Sequence, residues 1–252
     1  MTYAPFQRNR RRKGKNVLLD DDRGAIGMAI AKHRLQKGDQ LILHYHSNKD
    51  AISELMELTA ENQIIGVIQA DLSTKEGIDV FLSKLVFHVD TVIFANGKTE
   101  FGLFQDATSE NMEEMLLLHV QAPWMITKYC LSSMVKEQAG KIIFITSIWG
   151  DVGASFEVLY SSVKGAQNSF VKALAKEVAQ SNISVLGISP GFIDTKMNQD
   201  IDEDERQEIL ETIPLQRPGY PEEVAEAVNF LLDTETSYLN GQIIPVTGGW
   251  ML

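Results

Sequence analysis

Tyr160 and Lys164 stand four residues apart in Tyr160-Ser161-Ser162-Val163-Lys164, and Ser147 lies thirteen residues before the tyrosine. The apolar residues Val163, Phe170, Val171 and Leu174 predict a helix here, and helical spacing sets phenol and ammonium one turn apart on one face. A phenol titrates near ~10 in water, but a neighbouring cation favours phenolate. Lys164 is the expected cation. Ser147 follows the apolar run Ile142-Ile143-Phe144-Ile145, which reads as a buried strand running into a loop. A hydroxyl there can hold a carbonyl oxygen while the phenol protonates it. The Tyr–Lys pair alone also fits a solvated helix face, and the serine behind a strand turns the reading towards catalysis.

Such groups need a frame. The 252 residues suit one α/β domain that buries about three quarters of its unfolded surface. Short β-rich runs over 16–19, 40–44, 64–69, 91–94, 142–145, 183–188 and 242–246 alternate with helical stretches over 28–36, 48–60, 75–86, 109–136, broken midway around Ala122-Pro123, and 221–232. That alternation predicts a parallel sheet covered on both faces.

The first strand runs into Asp20-Asp21-Asp22-Arg23-Gly24-Ala25-Ile26-Gly27 and then a helix. Strand, turn and helix N-terminus form a cradle for a pyrophosphate, because free N–H groups and the helix dipole point at the anion. Arg23, Gly24, Ile26 and Gly27 are its candidate contacts. Three successive carboxylates stand where backbone should approach the phosphates, so either the loop differs or it grips a dinucleotide poorly. The second strand ends in His44-Tyr45-His46, without the acidic residue that would accept ribose hydroxyls. With Arg23 nearby, this favours NADPH over NADH. Asp71, followed by Leu72, is placed to meet an adenine amino group, and Ala95 and Gly97 let a cofactor lie close to the backbone. Pro190-Gly191 turns sharply, leaving backbone near Ile193 and the Thr195 hydroxyl to a ligand. The acidic segment 198–211 reads as a flap over the site or as a charged surface helix.

A formal charge of −11 disfavours nucleic acid as the main partner. Arg8, Arg10, Arg11, Arg12, Lys13 and Lys15 form a basic run. It reads as a disordered arm over 1–14, before a domain over 15–252, with an RNA or acidic-partner contact as the competing reading. No apolar stretch of signal-peptide or membrane-span length follows, which predicts a cytoplasmic protein without a membrane partner. Cys130, the sole cysteine, excludes an internal disulfide and a cysteine metal cluster. His44 and His46 alternate along a strand but lack partners at ligand spacing; they read as surface polar residues, and no metal is expected.

Ser147, Tyr160 and Lys164 at this spacing, Asp71 after a third strand, Pro190-Gly191 with Thr195, Pro221-Glu222-Glu223-Val224, Gly241-Gln242 and Gly248-Gly249 together resemble the short-chain dehydrogenase/reductase family, over residues 15–250. The resemblance implies a single-domain, Rossmann-like, doubly wound parallel sheet of about seven strands with helices on both faces. It also implies a nicotinamide cofactor across the strand ends and a homotetramer or homodimer built through the long middle helices and last strand. In that scheme Tyr160 protonates a ketone oxygen that Ser147 orients, while Lys164 lowers the phenol's pKa and grips the nicotinamide ribose. The carboxyl-terminal two thirds look most like reductases of the 3-oxoacyl-acyl-carrier-protein type. Ser147-Ile148-Trp149-Gly150, Gly153-Ala154-Ser155, Glu157 and His44-Tyr45-His46 are similar to the reductases that act on the 5-aminopentanone modification of elongation factor P.

An NADPH-dependent ketone reductase is therefore expected, acting on an amine-bearing ketone or on a 3-oxoacyl thioester of a carrier protein. Trp149 with Asp151 and Glu157 reads as a cradle for a cationic amine, or as an ordinary polar loop. Three departures stand out, one being that the family's N-N-A-G reads Phe94-Ala95-Asn96-Gly97 and that Thr247 precedes the late glycines in place of the common Asp. The family's T-G-x-x-x-G-I-G loop places Asp20 on the threonine, Asp21 on the first glycine and Ala25 on the second. The family's asparagine in the middle helix falls on His119, where an imidazole can hold the water behind the lysine, relay the proton itself, or do neither. The rival reading raised by Asp20-Asp21-Asp22 is a binding protein that keeps the fold without its cofactor.

Overall fold

Each strand of the sheet sends alternate side chains to opposite faces, and both faces are apolar. Leu18, Ile42, Ile68, Val92, Ile142 and Val185 fall on one; Val17, Leu19, Leu41, Leu43, Ile93, Ile143 and Leu186 fall on the other. Strands buried on both sides need helices on both, and parallel βαβ connections supply them. The computed structural model, which describes residues 14–21, 24–47, 49–57, 59, 62–198, 201–234 and 237–250, has that form. Its seven parallel strands run in the order β3-β2-β1-β4-β5-β6-β7. They are β1 (Asn16–Asp20), β2 (Gln40–Tyr45), β3 (Ile64–Gln69), β4 (Thr91–Phe94), β5 (Gly140–Ile145), β6 (Ile183–Pro190) and β7 (Ile243–Val246).

Helices α1 (Ala25–Gln36), α2 (Lys49–Glu57) and α9 (Pro221–Asp233) cover one face; α3 (Lys75–Lys84), α5 (Ala122–Glu137) and α7 (Val158–Val178) cover the other. The remaining helices, α4 (Ser109–Leu116), α6 (Trp149–Val152) and α8 (Glu203–Thr212), follow the carboxyl ends of β4, β5 and β6. Because β1 lies between β2 and β4, the chain winds away from it in both directions, which makes the carboxyl ends of these strands a topological switch point. Ligands of open α/β sheets bind there. The expected fold class is the observed one.

Local chemistry sets the element ends. Thr74 caps α3 by accepting from the Gly77 N–H at 3.0 Å. Pro221 starts α9, where Glu223 accepts from the Tyr220 N–H at 2.9 Å and pairs with both Arg217 guanidinium nitrogens at 2.8 Å. Hydrogen bonding to Arg217 and to the Tyr220 backbone holds the Glu223 carboxyl at about 2.

Some expected boundaries shift. The helix expected over 28–36 begins at Ala25, and the stretch over 109–136, expected to break around Ala122-Pro123, divides just before that pair at a π-helical turn, Leu117–Gln121. The segment expected to be a loop at 149–157 opens with α6. Of the acidic segment, 203–212 is α8, none of whose residues is buried. The basic run lies outside the described residues except for Lys15, whose N–H donates to Asp39 at 2.9 Å.

Candidate active site

Ser147 stands just past β5, where Thr146 ties the turn to β6 through its N–H and hydroxyl, both donated to the Ile188 carbonyl at 2.7 and 3.1 Å. Gly150 then allows α6 to lie on α7: a Cβ there would come within 2.8 Å of the Lys164 carbonyl carbon. The Ser147 hydroxyl accepts from the Trp149 N–H at 3.2 Å and lies close enough to the Tyr160 phenol to favour its phenolate form. One turn along α7, Lys164 Nζ lies 5.5 Å from the Tyr160 ring centroid and donates to the Ile145 carbonyl at 2.9 Å. Serine, phenol and ammonium, all buried, are thus gathered as the spacing predicted.

Their titration differs from the expectation that Lys164 lowers the phenol's pKa. Burial pushes the Tyr160 phenol above its ordinary value, the Glu157 carboxylate adds to this, and the Ser147 hydroxyl opposes it. The reason lies in Lys164 itself. Burial brings its ammonium down to about 7 although the Asp20 charge works the other way, and its hydrogen bond goes to a carbonyl. A phenol that stays protonated at neutral pH is nevertheless the form a proton donor needs.

His119 sits in the π turn with its ring edge-on to Tyr160, centroids 5.9 Å apart. Its Nε2 is 2.9 Å from the Lys98 carbonyl, and its Nδ1 is buried without a partner. Burial, helped by the Lys164 charge and opposed by the Lys98 hydrogen bond, lowers its pKa to about 3. The ring is therefore neutral; the 2.9 Å contact of Nε2 with the Lys98 carbonyl is shorter than that with the Lys98 N–H at 3.4 Å and favours the tautomer with the proton on Nε2 and Nδ1 as an acceptor. The His119 carbonyl accepts from Gln167 Nε2 at 2.8 Å.

Sequence reasoning missed a polar network at the tips of β1, β2 and β4. Asp20, fully buried, accepts from Asn96 Nδ2 at 2.9 Å, and its other carboxylate oxygen lies 2.8 Å from His44 Nδ1. His44 Nε2 faces the Ala70 carbonyl at 2.9 Å. An imidazolium paired with the Asp20 carboxylate satisfies both of these contacts. The assignment of His44 to the surface is corrected: it is buried, edge-on to Phe81. Strand parity carried the signal, since His44 is two residues beyond the inward Ile42, as Asp20 is beyond the inward Leu18.

The remaining candidates divide. Gly24 and Gly27 flank the start of α1, and Ile26 packs against the core; Arg23 lies outside the described residues. Asp71 accepts from the Ser73 N–H and hydroxyl at 3.0 and 2.6 Å. Partial burial opposes its charge, but these bonds and the charges of His46 and His44 outweigh burial and lower its pKa. The side chain of Leu72 belongs to the core. The Ala95 N–H donates to the Asp20 carbonyl at 2.8 Å, and Gly97 is exposed. Gly191, after the buried Pro190, approaches the backbone of Thr247, where a Cβ would lie 3.1 Å from its Cα. Ile193 is buried and bridged to Gly219, while Thr195 accepts from the Asn198 N–H at 2.9 Å.

Around the mouth, Trp149 packs edge-on to Trp250 at 5.3 Å, and Glu157 accepts from the Thr99 hydroxyl at 2.7 Å. Asp151 does not join Glu157: it accepts from Asn168, one turn beyond Lys164, at 3.0 Å. The sequence pointed to no metal. His88, Asp90 and Glu137 do cluster, but at the amino-terminal side of β4 and β5, away from this site.

A sheet wound in this order, with a buried serine, phenol and ammonium at its carboxyl edge, defines a class of nicotinamide-dependent oxidoreductases. A family model described as Enoyl-(Acyl carrier protein) reductase matches residues 22–251. The chain belongs to the short-chain dehydrogenase/reductase family and is an NAD(P)-dependent oxidoreductase of the 3-oxoacyl-acyl-carrier-protein reductase-like kind. It is 42% identical over 240 residues to YmfI of Bacillus subtilis (strain 168), an uncharacterized oxidoreductase, covering 94% of this chain and 98% of that one. It is 32% identical over 241 residues to the 3-oxoacyl-[acyl-carrier-protein] reductase FabG of Aquifex aeolicus (strain VF5), covering 94% and 97%. In fold it is similar to the crystal structure of the 3-oxoacyl-[acyl-carrier protein] reductase of Brucella melitensis ATCC 23457, with a TM-score of 0.85, 24% identity and 95% and 92% coverage. It is also similar to YwfH, an NADPH dependent reductase involved in bacilysin biosynthesis, with a TM-score of 0.84, 24% identity and 94% and 98% coverage. These relationships favour an enzyme over the cofactor-free binding protein.

The cofactor such a family implies meets two unlike surfaces. At the Tyr160 end the residues suit it: a buried ammonium is at hand, and Asn96 Oδ1 and His119 Nδ1 are buried acceptors without partners. At the α1 end they do not suit it as they stand. The Asp21 carboxylate accepts from the Gly24 N–H at 2.8 Å and lies against the bare backbone of Gly24 and Gly27.

Proposed function

We propose that this chain is an NADPH-dependent reductase of a ketone that carries an amine, such as the 5-aminopentanone group on elongation factor P. The observation that carries the ketone chemistry is the buried contact of Tyr160 with Ser147, with Lys164 one turn away. Ser147 orients the carbonyl oxygen, and Tyr160 delivers its proton to that oxygen. Lys164 holds the nicotinamide ribose, and Gly191 with Thr195 lines the path of the same end. When bound, the cofactor supplies the hydride. The absence of an acidic residue at the tip of β2, where His46 stands, supports the phosphorylated dinucleotide.

The amine preference rests on Glu157. Its carboxylate is close enough to Tyr160 to raise the phenol's pKa, and Thr99 fixes it beside the mouth. Phe101 and Phe156 stack at 5.5 Å next to it, an aromatic rim suited to a cation. A 3-oxoacyl group on an acidic carrier protein is the weaker substrate reading, since the chain itself carries a charge of −11. A homodimer or homotetramer is supported by the exposed Leu116, Trp124 and Tyr129 along α4 and α5. No described helix is long and apolar enough to cross a membrane, in keeping with a cytoplasmic enzyme.

The test is titration with NADPH, followed by its fluorescence, and then addition of paired ketones of equal length with and without an amine. Faster turnover of the aminoketone supports the reading. Equal efficiency removes Glu157 as its determinant, and no oxidation of NADPH by any ketone removes the reductase assignment. Light scattering tests the oligomer, and a monomer at micromolar concentration rejects it.

A further inference from the structure

The turn between β1 and α1 holds an anion of its own. Asp21 leaves β1 and folds its carboxylate back over the first turn of α1, where Oδ1 accepts the Gly24 N–H at 2.8 Å. The space next to the two glycines is not open. A Cβ on Gly24 would lie 2.7 Å from Asp21 Oδ1, and one on Gly27 would collide with Asp21 Oδ2. The glycines that would admit a phosphate here admit an aspartate side chain. A helix N-terminus attracts one anion through its unsatisfied N–H groups and dipole, and a carboxylate already supplies it. A diphosphate arriving at the same turn has to take over that N–H, and it meets a like charge at contact distance.

We propose that Asp21 is an affinity-determining residue of the dinucleotide site, a built-in anion that the diphosphate of the cofactor has to displace. This rests on the reading of the chain as a nicotinamide-dependent reductase. It assigns the penalty to the phosphates alone: a ligand with diphosphate is disfavoured, and a nicotinamide riboside without phosphate is not. The competing account makes Asp21 a plain cap of α1, whose loss loosens the turn and leaves ligand affinity unchanged.

The full-length chain and its Asp21→Gly and Asp21→Asn variants separate the two. Dissociation constants are measured by fluorescence for NADPH and for reduced nicotinamide riboside, and by calorimetry for ADP. Urea unfolding accompanies each variant to show that it is folded. Asp21→Gly should tighten NADPH and ADP by about ten-fold or more, the order expected from removing a like charge at contact distance. Asp21→Asn, which keeps the bulk and loses the charge, should tighten them less, and the riboside should bind all three chains alike. NADPH that binds the three chains equally, or a gain that extends to the riboside, overturns the proposal and leaves the reductase assignment standing. Absence of NADPH binding in all three overturns both.

Discussion

At the carboxyl edge of β5, the chain buries a phenol, an amine and a hydroxyl with acceptors beside them left unpaired. At the edge of β1, it buries or half-buries two aspartates in succession, and each finds a partner within the chain: Asp20 in His44 and Asn96, Asp21 in the Gly24 N–H. Beside the phenol and the amine, acceptors such as His119 Nδ1 lack a protein partner, whereas the two aspartates have theirs. Unsatisfied buried groups cost free energy, so the edge of β5 is where binding is rewarded, while the edge of β1 resists it. A single fold can therefore carry a receptive and a reluctant half of the same site.

The contrast can be broken first at the receptive end. Tyr160→Phe should lower single-turnover oxidation of NADPH by about 10² to 10⁴, the usual worth of positioned acid catalysis, while NADPH binding is retained. Unchanged turnover would take Tyr160 out of the chemistry. At the satisfied end, Asp20→Asn leaves a buried imidazolium without its counter-charge and should cost about 3–5 kcal/mol in urea unfolding. The double variant Asp20→Asn with His44→Leu should recover much of that loss, because the orphaned charge goes with it. Additive losses would show that the two residues do not form a pair.

Acid stability sharpens the comparison further. The folded His119 titrates at about 3 and its ordinary value is 6.5, so between these values the unfolded chain binds a proton that the native one does not. Stability should therefore rise with pH across that window, and His119→Asn should flatten the slope in urea midpoints measured at several acid pH values. For Lys164 the window runs from about 7 to 10.5, again with stability rising with pH, and Lys164→Met should remove that contribution. The smallest effect is expected at the rim. Glu157→Gln should reduce the preference for an aminoketone over its neutral counterpart by about two- to ten-fold, read as a ratio of kcat/KM, in keeping with a partly exposed charge.

Much of the receptive end was legible in the sequence. A helix fixes what lies four residues apart, so Tyr160 and Lys164 had to share a face, and an apolar run before Ser147 had to be a strand. The sense of the phenol's shift was not legible, because it depends on burial and on where Lys164 sends its hydrogen bond. Asp151 and Glu157 look equivalent beside Trp149 in the sequence. Only the packing of α6 on α7 separates them, sending Asp151 to Asn168 and Glu157 to Thr99. The partnership of Asp20 with His44 needed the register of β1 against β2, which pairs those two residues across the sheet. Most element types followed from periodicity, and Ala122-Pro123 marked a break in the middle helix, but nothing in the pattern of 109–136 showed that the break takes the form of a wider turn, and the order of the strands needed the structure.

That wider turn has a consequence for the far side of the molecule. A residue advances an α-helix by about 100°, so one looped-out position between Leu117 and Gln121 re-phases everything downstream of it. Winding the same residues as a regular α-helix would swing Trp124 and Tyr129 round the axis, away from the directions they now face. The wide turn that sets His119 edge-on to the phenol thus also aims the outer aromatic side chains.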